Sequence, residues 1–236
     1  MKKIFKILSN RYIVFMPVLL VLVVAQVETY SQLTTSGTFG AAVRLAIPIL
    51  LAGLGGLYSE KTGVVNIGLE GMMIMGTWFG AWGGYTFGAW QGVFIGMLGG
   101  ALFGLIHAIA TVSFQVDHIV SGVAINILAA GVARFLNVIA YKDVQYASST
   151  ASPRIQGDIG IFTMPFLAGG KIRENETFNL LGNIENLDIF LISDFSGLLL
   201  GFISNISYLT LFALALVPIS VLVLWFTPLG LQMRSV

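Results

Sequence analysis

A succession of apolar runs, each about twenty residues long and parted by short windows that hold nearly all the charge, constrains this chain more than any other feature. An α-helix rises 1.5 Å per residue, so such a run crosses the roughly 30 Å hydrocarbon core of a bilayer with its backbone polar groups satisfied internally. Of 236 residues, 10% are charged and 56% hydrophobic, and the mean hydropathy is +0.89. Soluble domains carry roughly 25% charged residues, so this chain lacks the shell that water would demand. The sequence therefore predicts an all-α, polytopic membrane protein.

Lys2, Lys3, Lys6 and Arg11 precede an apolar run over 13–27. That run reads as a signal peptide or a first span; Val23 and Ala25 resemble a cleavage site, but the many later spans favour an uncleaved helix. Further spans are predicted at 39–58, 68–87, 90–112, 119–141 and 208–226, about six in all. The apolar run 189–203 contains Asp194 and is shorter than a span requires, so it reads as a surface or re-entrant element. If it crossed, Arg234 would change sides.

The charges give an orientation. With the N-terminus in the cytoplasm, 142–207 forms an extracytoplasmic segment. There Lys142, Arg154, Lys171 and Arg173 stand against Asp143, Asp158, Glu174, Glu176, Glu185, Asp188 and Asp194, a net −3. On the cytoplasmic side Lys2, Lys3, Lys6, Arg11, Lys61 and Arg234 stand against Glu60 and Asp117, a net +4, as the positive-inside tendency requires.

Glycines recur every fourth residue at Gly76, Gly80, Gly84, Gly88, Gly92, Gly96, Gly100 and Gly104, interrupted only by a turn near 87–91. On helices this is a small-residue stripe that lets backbones approach and pack by dispersion. Packing of the third span on the fourth is the reading adopted; a sliding surface for gating is the alternative. Trp78, Trp82, Tyr85 and Trp90 gather near the outer turn, where interfacial anchoring accounts for them.

Ionisable groups at membrane depth are costly, which singles out Arg44, Glu70 and Arg134. Glu70 lies in GVVNIGLEGMM, where glycines and Asn66 interrupt the approach to the third span and predict a broken helix near 63–70. Asn66 either caps that helix, with Glu70 in its first turn, or faces a polar solute, and the two roles are compatible. Ser121 and Asn126 lie on the fifth span, and a membrane-buried amide such as Asn126 needs another helix, water or a solute as its partner. Snorkelling or ion pairing accounts for Arg44 and Arg134. His118, beside Asp117, reads as a solvated or helix-starting residue, with proton relay the weaker alternative.

With no cysteine and only His107 and His118, disulfides, thiolate sites and histidine-rich metal sites are excluded. No nucleotide loop, zinc motif, serine elbow or catalytic pair is present, so no metal, cofactor or enzymatic chemistry is expected of this chain, and no basic, aromatic-interleaved patch points to nucleic acid.

Three blocks, LGGLYSEKTGVVNIGLEGMM from Leu54, VDHIVSGVAINILA from Val116 and TPLGLQMRSV from Thr227, together resemble bacterial ABC importer permeases. The resemblance is to nucleoside permeases within the superfamily for simple sugars and branched-chain amino acids, and it runs from about Arg44 onward. It implies a permease subunit of the bacterial cytoplasmic membrane that translocates nucleosides or simple sugars. Its implied partners are a cytoplasmic ATPase subunit supplying ATP-derived work, a second permease subunit, and an extracytoplasmic substrate-binding lipoprotein. Asn66, Glu70, Ser121 and Asn126 would line or support the pathway. Leu229, Gly230, Leu231 and Arg234 match the start of the segment that couples to the ATPase. Members of the family continue beyond this segment with further spans, so residues 1–236 read as a single permease domain, truncated or split at its C-terminus. The competing reading is a gradient-driven secondary transporter with Glu70 as its ion-coupling group.

Overall fold

A computed structural model describes residues 35–144, 150–172, 175–187, 189 and 192–235. The apolar run 13–27 lies outside them. The chain divides into two compact units, Met1–Ile47 with Gly160–Phe212, and Pro48–Ile159 with Ala213–Val236.

Helix α1 (Ser36–Lys61) begins in the first unit and continues into the second from Pro48. Its 26 residues give a length of about 39 Å, sufficient to cross a bilayer. After a non-helical stretch at 62–68 the second unit continues with α2 (Leu69–Phe87), α3 (Ala89–Ala108) and α4 (His118–Ala140). A π-helical turn, Ile109–Ser113, extends α3, and the Asp117 carboxylate caps α4 by accepting the Ile119 and Val120 N–H groups at 2.9 and 3.1 Å.

Only Gly88 separates α2 from α3, and its φ of +108° is a backbone region that L side chains rarely adopt. That one residue reverses the chain and lays the two helices antiparallel, so that glycines of α2 meet glycines of α3. Met75, Phe103, Ile125 and Ala129 form the buried core among α2, α3 and α4, with Met72, Phe79 and Leu136 packed around it.

The first unit holds the outer segment from Gly160 onward. β1 (Ile161–Phe162) pairs antiparallel with β4 (Ile206–Ser207), with Ile161 opposite Ser207. β2 (Lys171–Ile172) pairs with β3 (Asn175–Glu176), and Lys171 and Glu176 are 3.6 Å apart as an exposed ion pair. Two helices follow, α5 (Leu180–Glu185) and α6 (Ile192–Ile203). The Glu185 carboxylate accepts the Ser36 N–H at 2.9 Å, so α5 supplies an acceptor to the first turn of α1. Within the predicted surface or re-entrant element 189–203, α6 is a 12-residue helix whose Gly201 packs on Gly40 of α1.

The chain closes with α7 (Tyr208–Phe226) and α8 (Pro228–Arg234). Among the described residues, four helices are long and apolar enough to cross a membrane: Ser36–Lys61, Ala89–Ser113, His118–Ala140 and Tyr208–Phe226. The predicted span 68–87 is present as α2, 19 residues long, but it is less apolar than these four, with Glu70 in its first turn.

Candidate functional site

The break between α1 and α2 is built from local hydrogen bonds and then fastened to α4. Ser59 Oγ donates to the Val64 carbonyl at 2.7 Å, and Thr62 Oγ1 donates to the Ser59 carbonyl at 2.8 Å, which closes the end of α1. Asn66 Oδ1 accepts the Gly68 N–H at 3.0 Å, and its Nδ2 points to Met72 Sδ at 3.5 Å. The cap position of α2 is Gly68, which has no side chain to offer. Asn66 therefore organises the approach two residues earlier and does not cap the helix itself.

The acceptor that α2 lacks comes from α4. Asn126 Oδ1 accepts the Gly71 N–H, the third helical residue, at 2.8 Å, and Asn126 Nδ2 donates to the Ile67 carbonyl at 3.1 Å. One amide thus serves a free donor of the helix start and a free acceptor of the segment before it. Such a bridge demands close backbones: a Cβ on Gly122 would stand 2.8 Å from the Gly68 nitrogen, and one on Gly71 would stand 2.8 Å from the Ile125 oxygen.

Ser121, one turn before Ile125, is buried and its Oγ lies 2.9 Å from Nδ1 of the buried His107 on α3. Thr111 Oγ1, within the π-helical turn, donates to the His107 carbonyl at 2.8 Å. His107 Nε2 is buried with no hydrogen-bond partner among the described residues. Glu70 differs from its neighbours: it is exposed on the first turn of α2, with no ion pair or hydrogen bond among the described residues. The structure therefore draws Asn66 and Asn126 into one network around Gly68 and Gly71, keeps Ser121 apart with His107, and leaves the Glu70 carboxylate open.

Toward the other end of α2, Trp78 Nε1 donates to Asn137 Oδ1 of α4 at 2.9 Å, and Trp78 stacks on Trp82 at 6.2 Å between ring centroids. Trp78 is buried, so anchoring at a membrane surface does not describe it; it is a polar contact between helices. Trp90 is exposed. Arg44 and Arg134 are exposed and form no ion pair among the described residues, and His118 opens α4.

The glycine stripe faces inward between α2 and α3. A Cβ on Gly92 would meet the Gly80 oxygen and Gly84 Cα at 2.7 Å, and one on Gly96 would meet the Gly76 oxygen at 2.9 Å. Contacts loosen along the stripe, for Gly100 faces Met72 oxygen at 3.5 Å and Gly104 faces only Met72 Sδ at 3.8 Å.

At the end of the chain, Thr227 caps α8 by accepting the Gly230 N–H at 3.3 Å while its hydroxyl donates to the Val223 carbonyl at 2.6 Å. Any side chain at Gly230 would collide with the carbonyls of Val223 and Leu224. The tight turn leaves Leu229 and Leu231 exposed, while Arg234 Nε donates to the Gly230 carbonyl at 3.3 Å and its guanidinium lies 5.8 Å from the Trp225 ring centre.

Residues whose partners sequence reasoning did not find, His107, Asn137 and Glu185, act through groups 14, 59 and 149 positions away. The one signal available was chemical: a buried histidine or amide must find some partner.

Residues 38–236 match the family described as the permease component of branched-chain amino acid transport systems. The chain is 37% identical over 205 residues to the guanosine ABC transporter permease protein NupQ of Bacillus subtilis, covering 83% of this chain and 54% of that one. It is 30% identical over 141 residues to the nucleoside ABC transporter permease protein NupC of Lactococcus lactis subsp. cremoris, covering 55% and 42%. The chain thus spans about half the length of the curated relatives it matches. No solved structure matches it.

Proposed function

The chain belongs to the family of permease components of branched-chain amino acid transport systems, and on that footing we propose that it forms part of the membrane pathway of an ATP-driven ABC importer for nucleosides. The observation that carries this reading is the similarity to a guanosine permease along 83% of the chain. The chemistry of the site agrees with it: Asn66, Ser121 and Asn126 are neutral and engaged with the protein's own groups, so they shape the pathway without presenting a charge to an α-amino acid. Asn66 and Asn126 support the pathway by fixing the start of α2 and Ser121 by holding α4 to α3 through His107, with Glu70 exposed beside them on the first turn of α2.

ATP acts through a cytoplasmic ATPase subunit, a second permease subunit completes the pathway, and an extracytoplasmic lipoprotein delivers substrate. The membrane is the bacterial cytoplasmic membrane, with the N-terminus inside and 142–207 outside. Leu229 and Leu231, exposed on α8 and held by the Gly230 turn, seat on the ATPase subunit and convey its closure. Alternating access then exposes the site first outward and then inward.

The open Glu70 carboxylate favours one competing reading, a transporter driven by an ion gradient. Uptake of labelled guanosine by cells expressing the complete transporter separates them. Guanosine uptake that unlabelled nucleosides compete away, and that survives both an uncoupler and Glu70→Gln, is the expected result. Uptake restricted to amino acids overturns the substrate class, and collapse with the uncoupler overturns the energy source.

A further inference from the structure

Helix α6 is built inside out for a water-soluble surface. Its protein-facing side carries small and polar groups, with Ser193, Ser196, Gly197 and Gly201 buried alongside Leu200. Its other side presents Ile192, Phe195, Leu199 and Phe202, spaced by three, four and three residues and therefore one row along the helix, with Phe195 59% exposed and Phe202 47% exposed. An amphipathic helix resting on a soluble core turns its large apolar row inward; this one turns it away.

The contacts of α6 place that row at a definite level. A Cβ on Gly201 would stand 2.9 Å from the Gly40 nitrogen, and Phe202 meets Phe39 edge to face at 4.8 Å. Gly40 lies four residues into α1, about 6 Å along its axis from Ser36. The start of α1 is marked by the Glu185 carboxylate on the Ser36 N–H, a charged group that belongs among headgroups, while Leu45, one turn deeper than Gly40, is exposed as a lipid-facing residue would be. The C-terminal end of α6 thus sits at the boundary between headgroups and acyl chains. Its 12 residues extend about 18 Å, too short to cross the hydrocarbon core but well suited to lying in this boundary.

We propose that α6 is an interfacial membrane helix whose row Ile192, Phe195, Leu199 and Phe202 is covered by lipid acyl chains of the leaflet that receives the first turn of α1. Small residues inward and large apolar residues outward is the polarity of a helix packed on protein on one side and on lipid on the other. Within the outer segment, α6 is then bound to the membrane beside α1, while β2 stands in water.

The absence of cysteine makes the test direct. Single spin labels at Phe195→Cys, Leu199→Cys and Phe202→Cys, with Ile172→Cys as an exposed control on β2, are read in the protein reconstituted in phosphatidylcholine and phosphatidylglycerol vesicles. Labels at 195, 199 and 202 are expected to collide several-fold more with oxygen than with a water-soluble nickel chelate, and the label at 172 to show the reverse. Nickel access at the three positions would place α6 in water and overturn the proposal. Immobile labels that neither reagent reaches would show a protein partner on the row and overturn it equally. The outcome is independent of what the protein transports.

Discussion

Helix α2 packs on both α3 and α4 and holds them by different physics. Against α3 the contact is backbone on backbone, glycine on glycine, closest at Gly92 and Gly96, where an added Cβ would strike main-chain atoms at 2.7 and 2.9 Å. Against α4 the hold is chemical: Asn126 bridges Gly71 and Ile67, and Asn137 accepts from Trp78. Lipid supplies no hydrophobic push between helices, so an interface there is made either by removing side chains until dispersion is strong or by leaving a polar group that only the neighbour can satisfy. The first interface fails by addition of atoms; the second fails by addition at Gly71 or Gly122 and, unlike the first, also by removal of the Asn126 amide.

That contrast can be broken from either side. The largest effect is expected from Asn126→Leu, which leaves the Gly71 N–H and the Ile67 carbonyl unpaired; at one to three kcal/mol for each stranded group the loss is about 3 kcal/mol, read as reversible unfolding in bicelles. A loss no larger than that of an exposed substitution would mean that water serves these groups equally well. Next comes Gly92→Ala, where backbone must move to admit a methyl; overpacking of this kind costs about 2 kcal/mol. The smallest effect sharpens the account. Gly104→Ala, on the same stripe but with only Met72 Sδ at 3.8 Å, is expected to stabilise by about 0.7 kcal/mol, because alanine is the better helix former and nothing obstructs it. Equal outcomes at 92 and 104 would refute a graded, steric interface.

Much of this architecture could be read in the order of residues, because helix length and apolarity are local properties. Run 208–226 coincides with α7, and 119–141 falls within one residue of α4 at each end. The predicted 39–58 is three residues short at each end of α1, since Glu185 holds Ser36, which hydropathy does not register, and the helix runs on through the polar Ser59, Glu60 and Lys61, where the apolar run has ended. The interruption before α2 was equally visible in Gly63, Asn66 and Gly68. What could not be read was which group satisfies which. Asn66 looks like the cap of α2 from its position, yet the cap is Gly68 and the acceptor arrives from Asn126, 55 residues on. Trp78 looks like a surface anchor from its company of aromatic residues, yet a partner 59 residues away draws it inside. Pairings of this kind follow no period, and only the fold brings them together.

Asn126 of α4 supplies the acceptor that the start of α2 lacks. The direct measurement is the amide proton resonance of Gly71 in glycine-labelled protein in nanodiscs, compared between the native chain and Asn126→Leu. Loss of the 2.8 Å hydrogen bond is expected to move the Gly71 proton upfield while the Gly96 proton, which faces α2 from α3, stays in place. A Gly71 resonance unchanged by the substitution would contradict the account, because the start of α2 would then be capped by something other than Asn126.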